Sequence, residues 1–586
     1  MFLPALIILL SAPGTDDSTI LERNWSFTLD SGLISIKYSS SETLNTPLAR
    51  DMFSDLRIPW DKSCQKLSTS AYTLTGNKKL STPSQGINEV VPFGFEKIPG
   101  GTTKRETVVS AAGATDQSKV FYEYTINPKG KCPGVFEYTI PLVEGRPVEK
   151  LIVRIDTALN WKVLWKPAGC KVSREGRYNV ITCLKIKGAG YRNIAGRRSS
   201  SSRVLSRLPR VMISAWDEKS LKQHLSNLDT QALLNLKNLI PSALKEITDG
   251  EFTLWGKIEK LTQWLGRNIK KLPEGTVSSL KDTIKYRAAD GTFRAVLAAA
   301  LINNFISKAK GVHLVHVSDL STEMKDFVTL SHYDNKFVVF KITGKTYIYN
   351  PITGELKSNF KMLGGKPFIA ADSVVPRRVQ DGEKRTLRLR GILKQDTISF
   401  EGQLYTEKPV LKICADNLKS LGLKITSCNF DEKTLDYTVI RFSGDLILSH
   451  GYTVIPLLGR FAPDTKPRVS RQYNLALPLK KRFVSVDLVL DTGGRNLFSM
   501  NFPAGVFKPI NGKLNGAIID FFTNYTYSYG NGIIKIKTEH STEAVDILPL
   551  YYGLKTKINI TGLYRDTLNF GDTGIVFHEK TSDSGQ

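Results

Sequence analysis

The chain has 586 residues, of which 41% are hydrophobic and 23% charged, and this ordinary globular composition excludes collagen, coiled-coil arrays and wholesale disorder. At about 100 to 200 residues per domain, the length predicts three or four domains. The 81 Lys and Arg outnumber the 55 Asp and Glu, giving a net charge of +26, which indicates either a solvated basic surface or a polyanionic partner.

The N-terminus predicts export. Residues Phe2–Leu10 are apolar and are followed by small residues, so we assign residues 1–14 to a signal peptide. No Lys or Arg precedes this apolar stretch, and a truncated signal or a buried first strand is the alternative. No later apolar run approaches the roughly 20 residues that cross a bilayer, so we expect no transmembrane segment after the signal. The expected location is periplasmic or extracellular.

The spacing of six cysteines indicates disulfides, which are typical of exported proteins. The most local pairing joins Cys170 to Cys183, Cys414 to Cys428, and Cys64 to Cys132. Free buried thiols are the alternative. A metal site is not expected, because the sequence has no CxxC or HxxxH spacing.

Residues 15–195 alternate apolar and polar side chains in short segments such as Leu33–Tyr38 and Val120–Ile126. This period of two predicts an N-terminal antiparallel β-sandwich. Residues 196–215 follow as an exposed basic linker. Its five arginines are Arg197, Arg198, Arg203, Arg207 and Arg210.

Residues 216–380 change to helical spacing. Leu221, Leu225 and Leu228 predict one amphipathic helix, and a later helix begins near Asp290 and extends to Ile302. Predicted strands follow it, at 313–317, 336–342 and 346–349. Helices that lead into a sheet make this region α+β.

Residues 381–586 return to the strand pattern and predict a C-terminal β-sandwich. The strongest local signal is a hairpin in which the turn Asn531-Gly532 joins a strand over 520–527 to one over 533–538. The predicted fold class is therefore multidomain α+β, with a β-sandwich at each end.

This order of domains resembles that of a group of bacterial proteins. They carry an N-terminal domain of unknown function, a transglutaminase-like module of the papain-like superfamily and a C-terminal domain of unknown function. The stretches that carry the resemblance are Tyr138–Val148, Ile213–Trp216, Tyr551–Leu554 and Gly574–His578. The resemblance implies a transglutaminase-like module over 216–380.

Members of that superfamily use a cysteine at a helix start, a histidine that opens a later strand, and an aspartate after the next strand. In this sequence the matching positions hold Gly291, Lys336 and Asn350, and His332 is a poor substitute four residues before Lys336. Glycine has no side chain with which to attack, and lysine is a cation without a lone pair near neutral pH. The resemblance thus implies a catalytically inactive module.

We therefore expect a non-enzymatic binding or scaffold protein, without a cofactor, whose partner is a protein or a cell-envelope polyanion. No specific nucleic-acid target is expected. The alternative is an active acyl-transfer or cysteine-peptidase-type enzyme with an atypical site, which needs a thiol such as that of Cys170 or Cys183 beside His332. His313 and His316 are expected on opposite faces of one strand and so cannot share a metal.

Overall fold

The structure is a computed structural model that describes most of the chain up to residue 447 and strand segments beyond it. The described residues are 18–92, 95, 103–130, 135–143, 146–164, 166–167, 169–186, 209–251, 253–272, 279–306, 308–318, 324–379, 382–394, 397–407, 410–411, 413–421, 423–434, 436–447, 468–469, 475–476, 482–491, 497–501, 510–514, 517–530, 533–542 and 574–577. The proposed signal peptide lies outside them.

The first region is built from strands and one short helix. Its elements are β1 Ser18–Asp30, β2 Leu33–Leu44, α1 Pro47–Phe53, β3 Asp55–Asp61, β4 Gln65–Thr75, β5 Lys78–Ser81, β6 Ile87–Val90, β7 Lys104–Ser110, β8 Ser118–Pro128, β9 Glu137–Pro141, β10 Val148–Asp156, β11 Asn160–Leu164, β12 Cys170–Glu175, β13 Tyr178–Ile186 and β14 Arg210–Ser214. Eight strands form one sheet in the order β12-β13-β10-β1-β2-β8-β4-β5. The smaller sheets β11-β14-β9 and β3-β7-β6 share its hydrophobic core.

Two features of this region differ from the sequence prediction. Strand β1 pairs with β10 in parallel, so the large sheet is not wholly antiparallel. The chain segment that connects these two strands is long, so they can pair in parallel, whereas a short hairpin connection would require antiparallel pairing. In addition, residues 210–214 of the predicted exposed linker form β14, which is buried along its whole length between β9 and β11. Residues 196–208 of that linker lie outside the described residues.

The second region places helices against a six-stranded sheet. Its elements are α2 Glu218–Gln231, α3 Pro241–Thr248, α4 Leu254–Asn268, β15 Lys270–Lys271, α5 Leu280–Tyr286, β16 Ala288–Ala289, α6 Gly291–Phe305, β17 Lys310–Val317, β18 Asn335–Ile342, β19 Lys345–Tyr349, β20 Leu356–Lys357, β21 Pro367–Ala370 and β22 Ser373–Arg378. The sheet order is β20-β19-β18-β17-β21-β22. Helix α6 is apolar on nearly all sides, because it lies in the core between the other helices and this sheet.

The third region is again dominated by one large sheet. Its strands are β23 Glu383–Lys394, β24 Thr397–Thr406, β25 Lys424–Lys433, β26 Thr438–Ile447, β27 Arg468–Val469, β28 Leu475–Ala476, β29 Arg482–Asp491, β30 Leu497–Asn501, β31 Ile510–Leu514, β32 Ala517–Gly530, β33 Ile533–Thr542 and β34 Gly574–Phe577. Eight of them form a sheet in the order β25-β26-β24-β23-β29-β33-β32-β31. The predicted hairpin is confirmed by the antiparallel β32–β33 pair, although its turn residues Asn531 and Gly532 lie outside the described residues.

The first region and the third region each contain an internal disulfide. The predicted bonds Cys170–Cys183 and Cys414–Cys428 are both present. Cys64 is disulfide-bonded as well, and its predicted partner Cys132 lies outside the described residues. Within the described part of the chain, no helix combines the length and the apolar character needed to span a membrane.

Candidate functional site

Helix α6 starts at Gly291, the residue that the sequence resemblance aligned with a nucleophile. The Asp290 side chain is the N-cap and accepts a hydrogen bond from the backbone N–H of Phe293 at 2.9 Å. Such a cap satisfies one of the donors left open at a helix start and fixes Gly291 as the first helical residue. Gly291 therefore offers only backbone atoms at this position.

The fold brings the end of β17 back to the start of α6. Only four residues, 306–309, separate α6 from β17, so the strand returns along the helix in the opposite direction. Helix α6 has 15 residues and is about 22 Å long at the usual rise per residue. The path from Lys310 to His316 covers about 20 Å. The end of β17 that carries His316 therefore runs back toward the start of α6.

Lys336 lies directly beside His316. The two residues are cross-strand partners in the antiparallel β17–β18 pair. Because side chains alternate along a strand, Lys336 shares the face of Val338 and Phe340, which pack in the core that contains α6. Lys336, which the sequence resemblance aligned with a histidine, thus lies on the helix-facing side of the sheet, with the imidazole of His316 on the neighbouring strand.

Asn350 directly follows β19, and its side chain stabilises the turn that comes next. Its side-chain oxygen accepts the backbone N–H groups of Ile352 at 2.9 Å and Thr353 at 3.3 Å. Arg294, in the first turn of α6, donates to the backbone oxygen of Pro351 at 3.4 Å, so the start of α6 contacts the end of β19. The elements that carry Gly291, Lys336 and Asn350 accordingly meet at one end of the central sheet.

His316 is the most unusual ionisable group at this end of the sheet. Its side chain is buried, with 1% exposure, and neither ring nitrogen has a hydrogen-bond partner among the described residues. Burial lowers the pKa of His316 to about 3, and the nearby charges of Lys336 and His224 act in the same direction. The imidazole is therefore neutral at physiological pH, with one donor and one acceptor nitrogen.

A residue of the first region forms hydrogen bonds with the backbone of the segment that carries His332. The carboxylate of Glu137, on β9, accepts the backbone N–H groups of Leu330 at 2.6 Å and Ser331 at 2.9 Å. Burial raises the pKa of Glu137, although these hydrogen bonds oppose that rise. His332 itself is buried and lies edge-to-face against Tyr333, with ring centroids 5.2 Å apart.

Two of these features were not identified from the sequence. The contact between Glu137 and the backbone of 330–331 joins positions almost 200 residues apart and leaves no local pattern. His316 was placed on the correct strand, but its pairing with Lys336 depends on the register of β17 and β18. The alternation that puts His316 on the face of Leu314 is the one signal that could have indicated its burial.

The arrangement offers no thiol for acyl transfer. The sequence contains no cysteine between residues 216 and 380. The alternative hypothesis of an active enzyme needed the thiol of Cys170 or Cys183 beside His332. These two cysteines are instead bonded to each other in the first region. Among the described residues there is also no group of three or more His, Cys, Asp or Glu side chains suited to a metal ion.

Comparisons with known proteins show the fold. No protein-family model matches the chain, and no curated protein matches it. A solved structure of a proposed protease from Parabacteroides distasonis aligns with 14% identity and a TM-score of 0.51, covering 96% of this chain and 99% of that one. An M1 zinc metallopeptidase from Deinococcus radiodurans covers 34% of this chain and 43% of its own, with 9% identity and a TM-score of 0.16. A proposed cysteine protease from Cytophaga hutchinsonii covers 57% of this chain and 85% of its own, with 12% identity and a TM-score of 0.14.

The last two scores are too low to support an argument. The chain is thus a multidomain, mostly β protein that shares its fold, over nearly its whole length, with a proposed protease from Parabacteroides distasonis.

Proposed function

We propose that this chain is an exported, non-enzymatic binding or scaffold protein built around a transglutaminase-like module that has lost its Cys-His-Asp triad. The observation that carries the proposal is the start of α6. Gly291, which the resemblance aligns with the nucleophile, is the first residue of this helix, and the sequence has no cysteine in residues 216–380 to replace it. Without a nucleophile, the neighbouring groups have no acyl intermediate to form.

The other two positions support the same proposal. Lys336 is a cation and cannot accept the proton of an attacking group near neutral pH. Asn350 lacks the charge that would orient and stabilise an imidazolium, and its side-chain oxygen already caps the turn at 352–353. On this proposal, the residue at each of the three aligned positions lacks the chemistry that the triad would need.

The packing of the module does not require those side chains. Helix α6 is held by apolar contacts with the surrounding helices and sheet, so the fold can persist and keep a recognition surface. The disulfides of the first and third regions favour an oxidising compartment. A periplasmic or extracellular location and a protein or cell-envelope polyanion as partner follow as parts of the proposal.

Amine-transfer assays test the loss of catalysis. The purified protein, incubated with a glutamine-containing peptide and a fluorescent primary amine, should neither release ammonia nor incorporate the amine. Turnover that disappears in Thr292→Ala or Lys336→Ala would overturn the proposal, because it would reveal an active site of another kind.

A restored triad tests the assignment of the three positions. In the variant Gly291→Cys, Lys336→His, Asn350→Asp, the helix start and the new imidazole should lower the pKa of the introduced thiol and speed its alkylation by iodoacetamide near neutral pH. The control is Leu239→Cys, at a side chain that is 50% exposed in the same region. Equal alkylation rates in the two variants would show that the assigned positions do not form one site.

A further inference from the structure

The outer face of the large sheet in the first region contains a cavity of about 230 Å³. It is lined by two adjacent rows of cross-strand neighbours on β1, β2, β8 and β4. One row is Asn24, Ser39, Glu123 and Ser70, and the other is Glu22, Ser41, Phe121 and Tyr72. These side chains point away from the core, which takes the alternate residues of the same strands.

The shape of the cavity follows from the sizes of these side chains. Strand β2 contributes only serines, Ser39 and Ser41, while the strands on both sides contribute larger groups. The result is a groove along β2 with a polar wall on one side. On the other side, the ring of Phe121 stacks on that of Tyr72 with centroids 4.5 Å apart. The ammonium nitrogen of Lys79 lies 4.1 Å from the centroid of the Tyr72 ring.

Both carboxylates that line the groove are paired with lysine side chains. Glu123 pairs with Lys37 at 3.2 Å, and Glu22 pairs with Lys150 at 3.5 Å. The amide nitrogen of Asn24 also donates to Glu22 at 3.1 Å, which holds that wall in place. Each lining carboxylate thus has its own ammonium partner, and the third ammonium group beside the groove, that of Lys79, lies over the ring of Tyr72. Among the described residues, no carboxylate or ammonium group at the groove is therefore left without a partner for a charged ligand to pair with.

We propose that this groove binds one ring of a neutral carbohydrate. Carboxylate, amide and hydroxyl groups can exchange hydrogen bonds with sugar hydroxyls, and the rim of Phe121 offers an apolar surface to the C–H groups of the ring. The volume is below the roughly 300–1,000 Å³ of sites for larger ligands, which limits the fit to a single ring. This inference goes beyond the proposed function and does not depend on it.

Saturation-transfer NMR on the full chain tests the inference with three matched probes: glucose, glucuronate and glucosamine, which are neutral, anionic and cationic. We expect saturation of the glucose ring protons, with weak affinity near about 1 mM, and weaker signals from the two charged probes. Galactose, mannose and N-acetylglucosamine extend the neutral set. The absence of signal from every neutral sugar, or a preference for either charged probe, would overturn the inference.

Two variants and one control locate the binding. Ser39→Leu fills the floor of the groove and should abolish the signal, while Phe121→Leu keeps an apolar wall but removes the ring and should weaken it at least several-fold. Ser35→Leu makes the same change on the same face of β2, outside the lining of the cavity, and should leave the signal intact. Sugar binding that survives both groove variants would place the site elsewhere and contradict the inference.

Discussion

His316 is deeply buried, and neither of its ring nitrogens has a hydrogen-bond partner in the part of the chain that the structure describes. A buried polar group without a hydrogen-bond partner costs on the order of 1–3 kcal/mol relative to its solvated state. The folded protein avoids the larger cost of a buried charge by keeping the ring neutral, as the pKa of about 3 indicates. On unfolding, the same ring returns to its ordinary pKa of about 6.5.

Stability should therefore fall on acidification because of His316. The folded pKa lies below the unfolded one, so the contribution is complete above about pH 6.5 and is lost as the pH falls toward 3, by about 1.4 kcal/mol per pH unit. Replacing His316 with Leu should reduce the loss of Tm between about pH 7.5 and pH 5, measured by calorimetry. His313→Leu, at the partly exposed histidine of the same strand, is the control. An unchanged pH dependence in His316→Leu would contradict the expectation.

At the scale of an element, α6 shows how one polar residue starts an apolar helix. Asp290 is 1% exposed, and its carboxylate accepts the N–H of Phe293. Asp290→Ala should lower the free energy of unfolding by about 0.5–2 kcal/mol, because the cap is lost. Asp290→Asn retains an oxygen that can accept this bond and should recover most of the loss. Equal destabilisation by the two substitutions, in urea titrations, would show that the cap is not the stabilising interaction.

The elements that could be predicted are those with a local signal. Leu221, Leu225 and Leu228 defined one face of α2, and the Asp290 cap marked the start of α6 within one residue. Strand β14 was not predicted, because Arg210 continues a series of arginines that is typical of a solvent-exposed segment. In the fold, the apolar residues 211–213 that follow it form a central strand between β9 and β11.

The candidate site was also only partly predictable, because some of its contacts leave no local signal in the sequence. A resemblance in sequence order sufficed to propose Gly291, Lys336 and Asn350 as equivalent positions, because each one lies at the end of a predicted element. The pairing of His316 with Lys336 depends on strand register, and the contact of Glu137 with residues 330–331 depends on how separate regions pack. Register and packing are long-range properties that a single sequence does not display.

At the scale of the whole molecule, two carboxylates join the three regions. Glu137 binds the second region from the first, and Asp436 binds the second region from the third. The Asp436 carboxylate accepts the N–H of Ser358 at 2.8 Å and the side-chain amide of Asn359 at 3.1 Å. Lys357, which is 7% exposed, donates to the backbone oxygens of Glu407 and Asp436 beside it. The second region is thus joined to both neighbouring regions by hydrogen bonds that its backbone and side chains donate.

Asp436→Ala should weaken the coupling between the second and third regions. The substitution removes the acceptor from the half-buried donors of Ser358 and Asn359, at a cost of about 1 kcal/mol, the low end of the range for unsatisfied buried groups. Calorimetry should then resolve separate unfolding transitions at a lower first Tm, and limited proteolysis should cut the 357–360 segment faster than in the parent chain. Asp431→Ala removes an ion pair with Arg441 that lies wholly within the third region and is the matched control. If the two variants behave alike, the coupling between the second and third regions does not depend on the Asp436 carboxylate.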